Sequence, residues 1–508
     1  MASILDVRAC GVLLHISSLP GPHGIGDFGP AAYRFVDWLE SAGQTLWQLL
    51  PMQPLGPGHS PYQSVSAFAG SPLMVALEPL IDQGWLRLDP PAPAFSDQRA
   101  AFDEVIPWRM ARLRDAAAGF AVHADAADRQ SMDVWCASQA DWLDDYALFM
   151  ALENAQSGRP WWLWPPPLAR RDPVALDAAR AEHATEIAFW QFVQWCFEVQ
   201  WQSVKAYAGR RGIAVMGDVP IFVAHHSADC WARPDLYFLD DAFQPTVVAG
   251  VPPDLFSATG QRWGNPLYRW DRMAAQGYAW WIARLRRALA HLDVFRIDHF
   301  RGFAGYWEVP ADCPTAIEGR WVEGPGRALF DAIESALGAL PIVAEDLGVI
   351  TPDVEALRDA CGFPGMRILQ FAFAETAEHA YLPHHHVPRS VVYTGTHDND
   401  TLVGWWAGTS PRERELVHAY VGTPGEPVHW QLMRAACHSV ARLAVFPLQD
   451  VLGLDGTHRL NTPGMVGGDN WAWRFDWAMV GTEPGRALAR LAAATGRAPF
   501  ARLGDPLP

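Results

Sequence analysis

Residues 294–301 read Val-Phe-Arg-Ile-Asp-His-Phe-Arg, a short apolar run that ends in charge. Side chains alternate along a strand, so Arg296 and Asp298 share a face. Runs rich in Val, Ile, Leu or Phe that break into polar or Gly-rich residues read as buried parallel strands. Seven further runs have this form: 12–17, 45–51, 213–222, 342–347, 366–373, 391–396 and 443–449. Helical patterns lie between many of them, at 31–42, 187–208, 278–291, 326–337 and 353–360. In the last, Pro352 suits a helix start and Thr351 is the expected cap. Eight strands alternating with helices predict an α/β fold, a (β/α)8 TIM barrel, in preference to a doubly wound open sheet.

Two connections exceed barrel loops. Residues 55–182 hold a Pro/Ala-rich stretch, a helical region at 133–152 and the run WWLWPPP at 161–167, and read as an inserted, mostly helical subdomain. Residues 224–277 form a second insertion. The expectation is a single catalytic domain over 1–508, with little room after the eighth strand for a C-terminal β-domain.

The composition narrows the function. Hydrophobic residues make up 50% of the 508 and charged residues 19%, the balance of a large core and not of a disordered chain. A net charge of −17 opposes binding to nucleic acid or anionic membranes, whereas an uncharged ligand is compatible with it. The 25 Trp serve either as core or as flat faces for sugar rings. Seven scattered Cys with no CxxC pattern, no secretory signal and no membrane-length apolar run predict a cytoplasmic protein with reduced thiols.

Barrel enzymes carry their chemistry at strand C-terminal ends. Arg296 beside Asp298 is either an ion pair of structural use or a guanidinium that keeps a nucleophilic carboxylate ionised. Glu345 and Asp346 follow the fifth run and point to opposite sides, so one faces the mouth and the other caps or is solvated. Residues 396–400 (Thr-His-Asp-Asn-Asp) form either a polar turn or a grip on sugar hydroxyls. Asp218 ends the third run. One such end says little, but several on successive strands converge, as paired carboxylates do around a glycosidic bond. His384-His385-His386 and His225-His226 are discounted as metal ligands, because consecutive residues rarely converge on one ion. No metal and no cofactor is expected.

These ends resemble the signatures of the 4-α-glucanotransferases, the amylomaltases or disproportionating enzymes, which are relatives of the α-amylases. The matching segments are FRIDHFRG (295–302), AEDLG (344–348), THDND (396–400), LLHISSLPGPHGIGDFG (13–29), SPYQSVSAFAGSP (60–72), GDVPIFV (217–223) and GVPPDLFSATGQRWGNPLY (250–268). They span roughly residues 10–470 in order.

The resemblance implies Asp298 as nucleophile, Glu345 as general acid/base and Asp398 as transition-state stabiliser. Arg296 would orient Asp298, His397 and Asp218 would contact sugar hydroxyls, and Tyr62 would stack on the sugar at the scissile bond. The segment 250–268, with Phe256, Trp263 and Asn265, would serve the acceptor. The implied partners are α-1,4-glucans, with glucose as an acceptor. A retaining mechanism implies carboxyl groups about 5 Å apart, where an inverting pair needs about 6.5–9.5 Å. An α-1,4-glucan hydrolase shares these carboxylates and is the alternative; a glucan-binding protein without activity has no need of the full set. Donor length, cyclic products and oligomeric state are not legible.

Overall fold

The structure is a computed structural model that describes residues 3–253, 257–374, 378–422 and 425–498. Its centre is a sheet of eight parallel strands: β1 (Ala9–Leu13), β2 (Leu46–Gln48), β3 (Ala214–Val219), β6 (Val294–Ile297), β9 (Ile342–Ala344), β10 (Gly365–Ile368), β11 (Ser390–Tyr393) and β12 (Leu443–Pro447). The pairing order is β10-β11-β12-β1-β2-β3-β6-β9. The two edge strands then meet: the Ala344 N–H donates to Pro364 O at 2.9 Å. The expected (β/α)8 barrel is therefore present, and each of the eight apolar runs overlaps one strand. Most strands stop short of the run's polar end, since those residues leave the ladder to form the mouth.

The alternation that sequence predicts is realised in two cores. Leu13, Leu46, Met216, Val294, Val343, Ile368, Tyr393 and Val445 fill the barrel. Phe295, Ile297, Ala344, Val392 and Phe446 face outward and pack with helix residues such as Phe35, Leu39, Trp281, Leu285 and Ile333. Each fully buried residue of this kind contributes about 1.5–3 kcal/mol. Eleven of the 25 Trp are buried, so core packing accounts for about half of them.

Helices form where expected, with two corrections. Thr351 occupies the N-cap position of Pro352–Cys361, but its side chain makes no capping hydrogen bond; the helix ends on Gly362 in the left-handed region, at φ 72°. The helical region at 133–152 is two helices, Ala126–Ser138 and Ala140–Ala155, because Gln139 (φ −111°, ψ 8°) breaks the run. Phe102–His123 and Pro173–Glu182 flank them, before the long barrel helix Ala184–Arg210.

A second sheet was not foreseen. β4 (Val247–Val251), β5 (Gln261–Pro266), β7 (Gly305–Pro310) and β8 (Arg320–Glu323) pair antiparallel in the order β5-β4-β7-β8. Within 250–268, Gly250 and Val251 end β4 and Gln261–Pro266 form β5, so both flanks of the segment are paired strand and not open loop. The aromatic and β-branched stretch Tyr306-Trp307-Glu308-Val309, bounded by Gly305 and Pro310, was the available signal. After β12 the described residues form helices and turns with no further strand.

Asp346 seals the barrel seam. Its Oδ1 accepts the Met366 N–H at 2.6 Å, and its Oδ2 lies 2.6 Å from Arg358 and 3.4 Å from Arg367. Removing this carboxylate leaves the largely enclosed Arg367 without its counter-ion and Arg358 with only the exposed Asp359. Asp346→Ala is expected to lower stability by about 3 kcal/mol, read as a fall in the urea midpoint; an unchanged midpoint would show that the seam does not depend on it.

Candidate active site

At the C-terminal rim, β3 and β6 place Asp218 beside Arg296 in register. The guanidinium is buried and serves two carboxylates. Its Nε and Nη2 both donate to Asp218 Oδ2, at 3.0 and 2.7 Å. Nη2 also donates to Asp298 Oδ1 at 2.8 Å. The Tyr62 hydroxyl donates to the same Asp218 oxygen at 2.7 Å. Tyr62 oxygen therefore accepts from His397 Nε2 at 2.9 Å, which places the imidazole hydrogen on Nε2. The two rings stack with centroids 5.3 Å apart and planes 13° apart. Trp471 flanks Tyr62 at 5.7 Å and His397 at 6.0 Å.

Glu345 follows β9, next to β6. Its Oε2 accepts the His299 N–H at 2.7 Å and its Oε1 the Leu347 N–H at 2.9 Å. Its neighbour Asp346 turns the other way to the seam, so only Glu345 serves the mouth. Asp398 Oδ1 accepts from Asn461 Nδ2 at 2.6 Å.

Burial dominates the electrostatics. It pushes the Glu345 carboxyl from 4.5 up to about 7, against the pull of Arg296 and the two backbone donors. It also raises Asp298 well above the carboxylate range; Arg296 lowers it, while Asp218, Glu345 and Asp398 raise it further. The sequence reading that Arg296 simply depresses the Asp298 pKa is corrected here: the guanidinium is shared with Asp218, and four carboxylates crowd one cation. Burial lowers His397, His299 (to about 3) and His15 (to about 3), so all three are neutral donors or acceptors at neutral pH.

The structure thus brings together Asp298, Glu345, Asp398, Arg296, His397, Tyr62 and Asp218. The Asp218 side chain is fully enclosed behind Arg296 and Tyr62, at 0% exposure, so it holds those groups and presents no surface to a sugar. Trp263 meets His299 edge to face at 4.7 Å, beside Asp298. Asn265 is turned inward, with Nδ2 donating to Val223 O at 2.9 Å and Oδ1 accepting from Gln63 at 3.0 Å. Phe256 lies outside the described residues. Asn461 and Trp471 were missed, since Asn461 sits in a stretch (Asn-Thr-Pro-Gly) that reads only as a turn.

The His pairs have other employment. His225 stacks on Trp162 at 3.8 Å and 8° and accepts the Trp161 indole N–H on its backbone O; His226 bonds Glu153 at 2.9 Å. They fasten the 161–167 run to the loop after β3. Donor atoms of His23, Asp27 and Glu78 lie within 4.8 Å of one another, but Asp27 pairs with the buried Arg109 at 3.1 Å, a cation already in place.

A barrel of this kind with carboxylates from successive strands gathered around one guanidinium defines an enzyme acting on glycosidic bonds. The chain belongs to the 4-alpha-glucanotransferase family, whose model matches residues 14–479. It is 50% identical to the 4-alpha-glucanotransferase of Thermus thermophilus over 96% of this chain and 99% of that one. A Synechocystis 4-alpha-glucanotransferase is 48% identical, over 93% and 94% of the two chains. Among solved structures, the amylomaltase from Streptococcus agalactiae in complex with acarbose superposes with a TM-score of 0.94 at 34% identity, covering 97% of this chain and 100% of that one. The chain transfers α-1,4-glucan segments to glucan acceptors, and none of these relatives is described as a hydrolase.

Arg296→Gln leaves the enclosed Asp218 without its counter-ion and is expected to lower stability by about 3–5 kcal/mol. Adding Asp218→Asn removes the orphaned charge and should recover part of that loss. Urea denaturation of both singles and the double checks this; strictly additive losses would contradict the pairing.

Proposed function

We propose that Asp298 is the nucleophile, Glu345 the general acid/base and Asp398 the transition-state stabiliser of a retaining double displacement. The observation that carries this is register. Ile297 pairs with Ala344, so Asp298 and Glu345 are the next residues on adjacent strands. Such strands run about 4.8 Å apart, the scale of a retaining pair and not of an inverting one.

The protonation states follow from coupling. Asp298 and Glu345 cannot both ionise cheaply in one enclosed cluster, so a proton is held between them. Asp298 is in ion-pair contact with Arg296 and Glu345 is not, which favours the charge on Asp298 and the proton on Glu345. Glu345 then protonates the glycosidic oxygen while Asp298 attacks the anomeric carbon. The aglycone leaves as a free 4-hydroxyl, and a glucan stays bound covalently to Asp298. An acceptor 4-hydroxyl next loses its proton to Glu345 and attacks the same carbon, which frees Asp298 and retains the α configuration. Asp398, held by Asn461, faces the positive charge that develops on the sugar. Tyr62, His397 and Trp263 supply ring faces and neutral hydrogen-bonding groups suited to sugar.

Residues 55–182 and 224–277 act as inserted subdomains on the single catalytic barrel, the second carrying the acceptor side within 250–268, including Phe256, while Asn265 holds that segment to Gln63 and Val223. The substrates are maltooligosaccharides or glycogen-derived glucans, with glucose as the smallest acceptor. The seven cysteines are unpaired, which supports a reducing, cytoplasmic setting. No helix among the described residues is long and apolar enough to cross a membrane.

Incubation with maltotriose alone tests the reading. A ladder of longer maltooligosaccharides with free glucose is expected; glucose and maltose without longer chains would mean that water is the acceptor. Asp298→Asn should lose turnover by about 10⁴-fold or more yet still bind maltotriose in calorimetry, and retained turnover would overturn the assignment. A third expectation concerns pH. The Glu345 pKa is raised, so its acid form persists to about 7 and is lost above it. kcat/KM on maltotriose should fall as pH rises through 7. With a glucosyl fluoride, whose leaving group needs no acid, that limb should vanish.

A further inference from the structure

The loop that carries His397 and Asp398 starts at Thr394, just after β11, and ends at Leu402, the first residue of the helix Leu402–Gly408. One carboxylate from another element holds both ends. Asp450 lies in the short helix Leu448–Leu452 that follows β12. Its Oδ2 accepts the Thr394 hydroxyl at 2.7 Å, and its Oδ1 accepts the Leu402 backbone N–H at 2.7 Å. All three residues are closed to solvent, with Asp450 at 1% and Thr394 and Leu402 at 0% exposure. On the opposite flank Gln370, after β10, donates its side-chain N–H to Asp400 O at 2.7 Å and its backbone N–H to Thr394 O at 3.2 Å. Within the loop, Thr396 and Asn399 bond each other at 2.9 and 3.0 Å. The loop is therefore a rigid bracket with fixed ends.

A carboxyl group at Asp450 is an expensive choice for mere filling. Its neighbours are neutral donors and the like-charged Asp400, and burial raises it to about 7. An apolar residue would fill the space without that penalty. What it adds is a pair of acceptors that join a strand end to a helix start.

We propose that Asp450 is a positioning residue for the reaction: by tying Thr394 to Leu402 it fixes where Asp398 stands against the breaking bond. This rests on the stabilising role of Asp398 given above. Displacements near 1 Å at a reacting centre lower rates by about 100-fold, so the effect belongs in kcat.

The test measures kcat and KM for maltotriose disproportionation in the full chain. Asp450→Ala should lower kcat about 10–100-fold with KM changed less than about twofold. Asp450→Asn can accept from Leu402 and donate to Thr394, and should recover most of kcat. Thr394→Val, which removes one of the two bonds, covers the case in which Asp450→Ala fails to fold; a tenfold or greater fall in its kcat is expected. Because the role acts through Asp398, Asp398→Asn combined with Asp450→Ala should be no slower than Asp398→Asn alone. Wild-type kcat in folded Asp450→Ala or Thr394→Val, or a further multiplicative loss in the double variant, would overturn the proposal. A wild-type enzyme that makes no ladder would instead overturn the functional reading beneath it.

Discussion

One buried guanidinium organises the mouth of this barrel. Arg296 is closed to water, so it must be neutralised from within, and a carboxylate on each side does so. Asp218 is locked behind it and takes three donors on a single oxygen, two from Arg296 and one from Tyr62. That fixes Tyr62, which fixes His397 through the hydrogen on Nε2. The other side of the guanidinium is left for Asp298, whose side chain keeps 31% exposure toward the cleft. The same ion pair is thus structural on one side and available for chemistry on the other.

The barrel makes this arrangement precise enough to use. Register between β3, β6 and β9 lines up Asp218, Arg296, Asp298 and Glu345 without any loop having to find its place. The seam between β9 and β10 lies directly beside Glu345, and Asp346 closes it by facing away from the mouth. Two adjacent acids thereby divide the work: one holds the barrel shut, the other stands in a dry cleft with its proton retained to about 7. Desolvation, more than any single charge, raises the Glu345 carboxyl.

The legibility of all this in sequence was uneven for physical reasons. Strands buried on both faces are apolar throughout, so the eight runs were visible, and alternation correctly paired Arg296 with Asp298. What sequence could not give was the sharing of Arg296, because Asp218 is 78 residues away and only the barrel brings it near. The expected depression of the Asp298 pKa failed because burial raises it, with Asp218, Glu345 and Asp398 adding to the rise against Arg296. The second sheet was missed because its strands are partly exposed and belong to two separate connections. Asn461, Trp471 and Asp450 were missed because their partners are remote: Asn461 meets Asp398 across 63 positions and Asp450 meets Thr394 across 56. Segment 133–152 misled in its interior, where the backbone of Gln139 ends one helix and opens the next, and Thr351 holds the cap position without making the capping bond.

The account stands on Asp298 as the group that carries the glucan between donor and acceptor. A Glu345→Gln variant mixed with maltosyl fluoride tests this most directly, since the fluoride departs without an acid while the second step lacks its base. Mass spectrometry of the digested protein should then show a maltosyl adduct on the peptide bearing Asp298. An adduct on another carboxylate, or hydrolysis with no adduct at all, would contradict it.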